Sequence, residues 1–293
     1  MFSYNKQIKI ICDNIKDINE RKKLLREQKQ ISQELLLQYF ADNYGESEIS
    51  QSTIFEYANL LEKYSGQKSN KETVSFFCKA VNKIDFSPSL FLNENSSLDF
   101  FTPQAPAIIS YVKNNHCDQA FIKFSILFDN PKVAYRTSFE EVCEDVYNSA
   151  SDYCILPIEN STGGKLLSFY SLIDKYDLKI FAICDLDEGN SDKQTRYALI
   201  SKKSLIYLKN KNSVFIEFSM VEDKNYSLKN ILEAAEICGL ELYRIDTVSS
   251  QYDDLSFKFY HIFKTKNQGI LPFLMYLNYK YPRHEAIGYY IEI

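Results

Sequence analysis

Short apolar runs alternate with amphipathic segments in the C-terminal two thirds of the chain. One predicted strand begins at Lys132 and the next at Tyr153, and the segment between them has apolar residues at helical spacing. Ser138 followed by Glu141 is a capping box that starts this helix. Alternation of strand, helix and strand predicts a parallel sheet, so we expect an α/β fold here.

From Ser213 onward the pattern predicts a strand, a helix, two strands, a helix and a final strand. The strands are typified by the apolar runs VFIEFSMV and EAIGYYIEI, and the first helix by SLKNILEAAEIC. This βαββαβ order is ferredoxin-like and predicts an α+β domain at the C-terminus.

The N-terminal part has a helical pattern and no recognisable motif of catalytic or ligand-binding residues. Residues 4–42 carry one apolar stripe at helical spacing, and residues 48–84 read as two more packing helices. A segment rich in Ser, Asn and Pro, 85–100, predicts a linker. We interpret this helical module as a scaffold or a dimerisation arm.

Composition and charge exclude several classes of function. The 293 residues carry a net charge of −5, so a general nucleic-acid or anionic-membrane binder is disfavoured. No run of 18 apolar residues occurs, and we expect a cytoplasmic protein. The seven cysteines show no CxxC spacing, so we expect neither a metal site nor a cofactor.

The richest cluster of chemical groups is the stretch 152–164, DYCILPIENSTGG. A strand predicted from Tyr153 to Pro157 is followed directly by a carboxylate, an amide, hydroxyls and two glycines. Open α/β sheets bind their ligands at such strand ends. The glycines permit positive φ, and a helix predicted over 165–176 would point its N-terminus at a bound anion. The alternative is that Asn160 and Ser161 only cap that helix.

Three pieces of the chain resemble the prephenate dehydratase family. The run Pro157 to Thr162 with its following glycine resembles the substrate-pocket signature, and Thr195-Arg196-Tyr197 resembles the Thr-Arg-Phe motif with its catalytic threonine. The last eighty or so residues resemble the ACT regulatory domain. The resemblance implies catalytic roles for Thr195 and Arg196, and it implies a substrate site made of Asn160, Ser161, Thr162, Gly163 and Gly164.

The chain also departs from this family. Two prolines occupy the first loop, 102–106, where the family has glycines, and proline has no N–H with which to bind a carboxylate. The stretch between Asn160 and Gln194 is shorter than the roughly 50 residues that a second lobe needs. The resemblance to ACT domains implies a homodimer and an effector site, whose matching residues are Ser227, Leu228, Asp246 and Thr247.

The predicted fold is therefore a multidomain α/β and α+β chain. Residues 1–92 form the helical module, 93–208 a truncated periplasmic-binding-protein-like lobe, and 209–293 the ACT domain. Our hypothesis is a non-catalytic or impaired dehydratase relative that binds an aromatic amino acid or related metabolite as a sensor or regulatory partner. One alternative is an active dehydratase, a lyase that converts prephenate to phenylpyruvate, CO2 and water. The other alternative is an assembly protein held together by ACT domains.

Overall fold

The chain divides into two units, Met1–Phe86 and Ser87–Ile293. The computed structural model describes residues 55–56, 58–59, 70–83, 98–101, 106–161, 164–187, 194–206, 213–221, 226–249, 257–266 and 269–293. In the first unit, helix α1 (Asn70–Lys83) and the helical residues 55–56 and 58–59 fall within the predicted helices of 48–84. The rings of Phe55 and Phe77 lie 6.3 Å apart and join these pieces. The helix predicted over 4–42 lies outside the described residues.

A ten-stranded mixed sheet organises the second unit. Its strand order is β10-β11-β9-β12-β6-β7-β4-β2-β3, with β5 paired to β4. The strands of this sheet are β2 (Ile108–Val112), β3 (Lys132–Arg136), β4 (Tyr153–Asn160), β5 (Gly164–Lys165), β6 (Lys179–Asp187), β7 (Gln194–Ser201), β9 (Val214–Val221), β10 (Glu241–Ser249), β11 (Phe257–Thr265) and β12 (Glu285–Glu292).

Part of the sheet is parallel, as the sequence pattern predicts. Strands β2, β3 and β4 run parallel to one another, whereas β6 and β7 run antiparallel to each other and β7 to β4. Helix α2 (Asn115–Ser125) follows β2, and α3 (Phe139–Tyr147) follows β3. The predicted cap of α3 is confirmed, because the Ser138 side chain accepts a hydrogen bond from the Glu141 N–H. The α/β class is confirmed by this part of the structure.

The C-terminal part has the predicted βαββαβ order. Helix α5 (Leu228–Ile237) follows β9, and helix α6 (Ile270–Lys280) precedes β12. The strand order β12-β9-β11-β10 places the first and third strands in the middle, as in a ferredoxin-like fold. The assignment of this part as an ACT domain stays a prediction.

Strand β12 joins the two parts of the sheet. It pairs antiparallel with β9 and parallel with β6, so the predicted boundary between 208 and 209 does not interrupt the sheet. Gly288 faces Ile180 across this junction. A Cβ atom at Gly288 would lie 2.3 Å from the Ile180 carbonyl oxygen, so only glycine allows this approach of the two strands.

One hydrophobic core runs through the junction on one face of the sheet. Helices α3 and α4 (Leu167–Tyr176) cover that face, and the core includes residues of both parts. Its members include Val142, Leu156, Phe169, Ile173, Ile180 and Ile183 from the α/β part and Phe215, Ile262, Ile287 and Tyr290 from the ferredoxin-like part. Among the described helices, none is long and apolar enough to cross a membrane.

Two local predictions are corrected by the structure. The predicted linker ends in strand β1 (Leu98–Phe100), which pairs in parallel with β8 (Ser204–Ile206). Helix α4 begins at Leu167, and its N-cap is Leu166 without a side-chain hydrogen bond. The reason is that Gly164 and Lys165 first pair back with β4, so neither Asn160 nor Ser161 caps this helix.

Candidate functional site at the strand junction

The pairing of β4 with β7 brings the two predicted motifs together. Asn160 lies opposite Thr195, and Glu159 lies opposite Arg196. The Ser161 hydroxyl accepts a hydrogen bond from the Gln194 N–H at 3.0 Å, and the Ser161 N–H donates to the Gln194 carbonyl at 2.9 Å. Residues far apart in sequence therefore share one end of the sheet.

Thr195 and Arg196 project to opposite faces of the sheet. They are consecutive in β7, and successive side chains of a strand point to opposite faces. Thr195 is buried, with 8% of its surface exposed. The two residues to which the resemblance gives catalytic roles therefore reach different surroundings.

An open groove of about 460 Å³ lies at this end of the sheet, on the Arg196 face. We call it the junction groove, because both parts of the sheet contribute to it. Its lining residues are Glu159, Asn160, Ser161, Asp185, Gln194 and Arg196 from the α/β part and Tyr243 and Arg244 from β10. The ferredoxin-like part thus supplies part of the wall of this groove.

Arg196 is held by carboxylates. Its Nε donates to Asp185 Oδ1 at 2.7 Å and its Nη2 to Asp185 Oδ2 at 2.8 Å, which is a bidentate pair. Nη2 also lies 3.4 Å from Glu292 Oε1. The hydrogen bonds that Arg196 donates to Asp185 raise the pKa of Arg196 above its ordinary value, against the lowering effect of burial. Its charge is therefore already compensated within the protein.

Arg244 binds two further carboxylates, and one of them joins the two parts of the sheet. Its Nη1 donates to Glu159 Oε1 and its Nε to Asp246 Oδ1, both at 2.7 Å. Burial lowers the pKa of Arg244, but the hydrogen bonds to Glu159 and Asp246 outweigh it and raise the pKa. Glu159 thus acts within the structure as a link from β4 to β10.

In and around the junction groove, the described carboxylates outnumber the described cations. Lys123 adds a third cation at its edge, where it donates to the Asp185 carbonyl at 2.7 Å. Five carboxylates line the groove or bind its polar side chains, against three cations, which leaves an excess of two negative charges. The carboxylates are those of Glu159, Asp185, Asp187, Asp246 and Glu292.

A buried polar cluster lies beneath the groove. Glu217 is 1% exposed and accepts hydrogen bonds from the Tyr170 hydroxyl at 2.7 Å and the Tyr290 hydroxyl at 2.8 Å. Burial, followed by the nearby Glu217, raises the pKa of both tyrosines. The cluster ties α4, β9 and β12 together across the junction. A small cavity of about 20 Å³ beside it shares Glu159 and Arg244 with the groove lining.

The glycine-rich turn after β4 is described in part. Gly164 has φ +69°, which confirms the predicted positive φ at this position. Thr162 and Gly163, two predicted substrate-binding residues, lie outside the described residues, as do residues 102–105 of the predicted first loop. Their roles stay predictions.

The predicted effector residues lie on two faces of the ferredoxin-like part. Ser227 is the N-cap of α5 and accepts from the Asn230 N–H, and Leu228 is the first residue of that helix. Asp246 binds Arg244 on the groove side. Thr247 is exposed and, as the next residue in β10, projects to the other face. An effector role for these residues stays a prediction.

His261 lies near Ser227, on the face covered by α5 and α6. It is fully buried, its ring stacks on Phe218 at 5.0 Å, and its Nε2 lies 3.1 Å from the Tyr226 hydroxyl. Burial lowers its pKa to about 4. The unfolded chain takes up a proton near pH 6.5, so the free energy of unfolding must fall as the pH drops from about 6.5 towards 4.

We expect this fall to be about 3 kcal/mol for His261 alone. His261→Phe keeps the ring stack and removes the titrating group, so its stability should depend less on pH over the same range. Tyr226→Phe removes the hydrogen bond and keeps the imidazole, so its pH dependence should match the wild type. Urea unfolding at pH 7 and pH 4.5 measures both. An equal fall in wild type and His261→Phe would show that His261 is not responsible.

No group of three or more His, Cys, Asp or Glu side chains among the described residues is arranged to hold a metal ion. The carboxylates of the groove are instead engaged with arginine, as Asp185 is with Arg196. A polar groove built from ion pairs, an amide and hydroxyls can bind and orient a small polar molecule.

Comparison with known proteins matches the part of the chain that carries four of the eight groove residues. Residues 111–187 match the prephenate dehydratase family model. The predicted resemblance to this family is confirmed for this part of the chain. The matched range covers β4 with its signature and ends with β6, which carries Asp185. A search of curated proteins finds no match.

Solved prephenate dehydratases share the fold. The enzyme of Streptococcus mutans is 15% identical with a TM-score of 0.52, and the match covers 64% of this chain and 100% of that one. The enzyme of Arthrobacter aurescens, solved in complex with L-Phe, is 13% identical with a TM-score of 0.50 and coverage of 63% and 90%. At this identity the likeness establishes the fold.

Sequence reasoning missed several groove residues. Asp185, Tyr243 and Arg244 lie in runs that read only as strands, and the pairing of Arg244 with Glu159 spans 85 residues. The buried cluster around Glu217 could have been predicted from the sequence. Glu217 lies within the apolar run VFIEFSMV, and burial of a glutamate costs free energy unless the carboxylate is hydrogen-bonded.

Proposed function

We propose that this chain is a non-catalytic relative of prephenate dehydratase that binds an aromatic amino acid or related metabolite as an intracellular sensor or regulatory partner. The observation that carries the proposal is that Arg196 is already paired with carboxylates of the protein. Dehydration of prephenate needs cationic or N–H donors for two carboxylates. Arg196 and Arg244 each bind two carboxylates of the protein instead.

The excess negative charge of the groove adds to this argument. A dianion entering it would meet like charges, since the carboxylates that line the groove or bind its polar side chains outnumber the cations there among the described residues. The predicted catalytic residue Thr195 is buried on the other face of β7 from Arg196. An open groove also leaves reacting groups in contact with water, where electrostatic stabilisation is weak.

Binding of an amino acid is supported by a relative. The Arthrobacter aurescens prephenate dehydratase was solved in complex with L-Phe, and we propose a related ligand for this chain. A sensor of this kind would pass ligand binding on through a homodimer formed by the ferredoxin-like part, as the resemblance to ACT domains implies.

The experiment that tests the proposal is a turnover assay of the purified protein with prephenate. We expect no phenylpyruvate above the uncatalysed background, because the arginines are not available to bind a dianion. A solved member of the family, such as the Streptococcus mutans enzyme, serves as the positive control under the same conditions. Turnover that is lost in Thr195→Ala would establish the active dehydratase instead.

A further inference from the structure

The junction groove differs in one respect from a site made for an anion: a carboxylate oxygen is left open in it. Glu159 accepts from Arg244 through Oε1, and Oε2 accepts no hydrogen bond from the described residues. The side chain is 24% exposed, so a ligand in the groove can reach it. A carboxylate oxygen accepts hydrogen bonds and cannot donate them, so the matching ligand group is a donor.

A hydroxyl donor lies two residues away from this oxygen. The Ser161 hydroxyl oxygen accepts from the Gln194 N–H, which leaves its proton free to donate. Ser161 is exposed at the end of β4 and lines the groove. Glu159 and Ser161 therefore offer a charged acceptor and a neutral donor in the lining of the same groove.

An aromatic surface completes the groove. Tyr243 is 49% exposed, and its ring is held edge-on by Phe215 at a centroid distance of 5.2 Å. Aromatic rings pack well in offset or edge-to-face contact with such a side chain. The volume of the groove, about 460 Å³, is sufficient for a single-ring molecule.

We infer that the junction groove binds an aromatic α-amino acid, with the ammonium group at Glu159, the carboxylate at Ser161 and the ring against Tyr243. The excess negative charge then selects for the amine, and a keto acid or a dianion lacks the group that the site recognises. This inference rests on the proposed function and assigns the ligand to the groove instead of to the predicted effector residues.

Titration calorimetry with a charge series tests the selectivity. L-Phenylalanine and phenethylamine both carry the ammonium group, whereas 3-phenylpropionate and prephenate do not. We expect the two amines to bind at least about tenfold more tightly than the two acids, since a hydrogen bond to a charged group is worth that much. Equal or tighter binding of 3-phenylpropionate would overturn the inference.

Matched variants test the location. Glu159→Gln removes the charged acceptor and should weaken L-phenylalanine binding by about tenfold or more. Asp174→Asn is the control, because Asp174 forms an ion pair with Lys258 outside the groove, and it should bind as the wild type does. Thr247→Ala probes the predicted effector residues and should also leave binding unchanged. Circular dichroism verifies that each variant is folded.

The outcomes separate this inference from the proposed function. If L-phenylalanine binds and Glu159→Gln has no effect, or if Thr247→Ala alone abolishes binding, the groove assignment is wrong and the sensor proposal stands. If none of the four compounds binds, the inference is wrong and the assembly-protein alternative is favoured. Turnover of prephenate would refute the proposed function itself.

Discussion

Replacing Gly288 by alanine is expected to destabilise the second unit by about 3 kcal/mol. The new Cβ would lie 2.3 Å from the Ile180 carbonyl oxygen and 2.9 Å from the Ile180 nitrogen. These are backbone atoms, which cannot move aside without separating β12 from β6. For a unit of about 200 residues the melting temperature should fall by roughly 6 to 12 °C.

Gly239→Ala is the matched control for this change. Gly239 has φ +73°, but a Cβ there would meet no atom within 4 Å. It should therefore cost only the strain of a left-handed residue, about 1 kcal/mol. Thermal unfolding followed by circular dichroism measures both variants. A cost for Gly288→Ala no larger than that for Gly239→Ala would show that the two strands are not packed as closely as described.

Replacing Glu217 by leucine is expected to lower the free energy of unfolding by about 3 kcal/mol. The substitution leaves the hydroxyls of Tyr170 and Tyr290 buried without this acceptor, and each such loss costs about 1 to 3 kcal/mol. The triple variant with Tyr170→Phe and Tyr290→Phe should recover most of this loss, because removing all partners of a buried network is often nearly neutral.

Urea unfolding of the wild type, the single variant and the triple variant measures this coupling. The double substitution Tyr170→Phe with Tyr290→Phe is the control, since it leaves the Glu217 carboxylate buried without either hydroxyl. A triple variant that is less stable than Glu217→Leu would mean that the tyrosines stabilise the junction through contacts other than this cluster.

Local patterns predicted much of the fold. Strand β9 carries the apolar run VFIEFSMV and lies at 214–221 as predicted, and the cap of α3 depends on Ser138, within four residues of its partner. Helix α4 starts two residues later than predicted, because Gly164 and Lys165 pair with β4 before the helix begins. Such pairing depends on strand contacts that periodicity does not report.

The groove could not be predicted from local patterns, because it is formed by residues that pair over long distances in sequence. Arg244 meets Glu159 across 85 residues, and Arg196 meets Glu292 across 96. Neither pairing has a local signal, because nothing in the sequence around these residues specifies a partner so far along the chain. The placement of β12 beside β6 was equally hidden, since both strands are apolar on both faces and nothing in either run specifies its neighbour. The family motifs located the wall of the groove that the α/β part supplies and missed the wall that β10 supplies.

Prephenate turnover is the measurement that tests this account most directly. The wild-type protein, incubated with prephenate and followed by the ultraviolet absorbance of phenylpyruvate, should form product no faster than buffer alone. That result is expected because Asp185 and Glu159 occupy the two arginines that a dianion would need. Formation of phenylpyruvate at a rate proportional to protein concentration, and abolished by Thr195→Ala, would contradict the account.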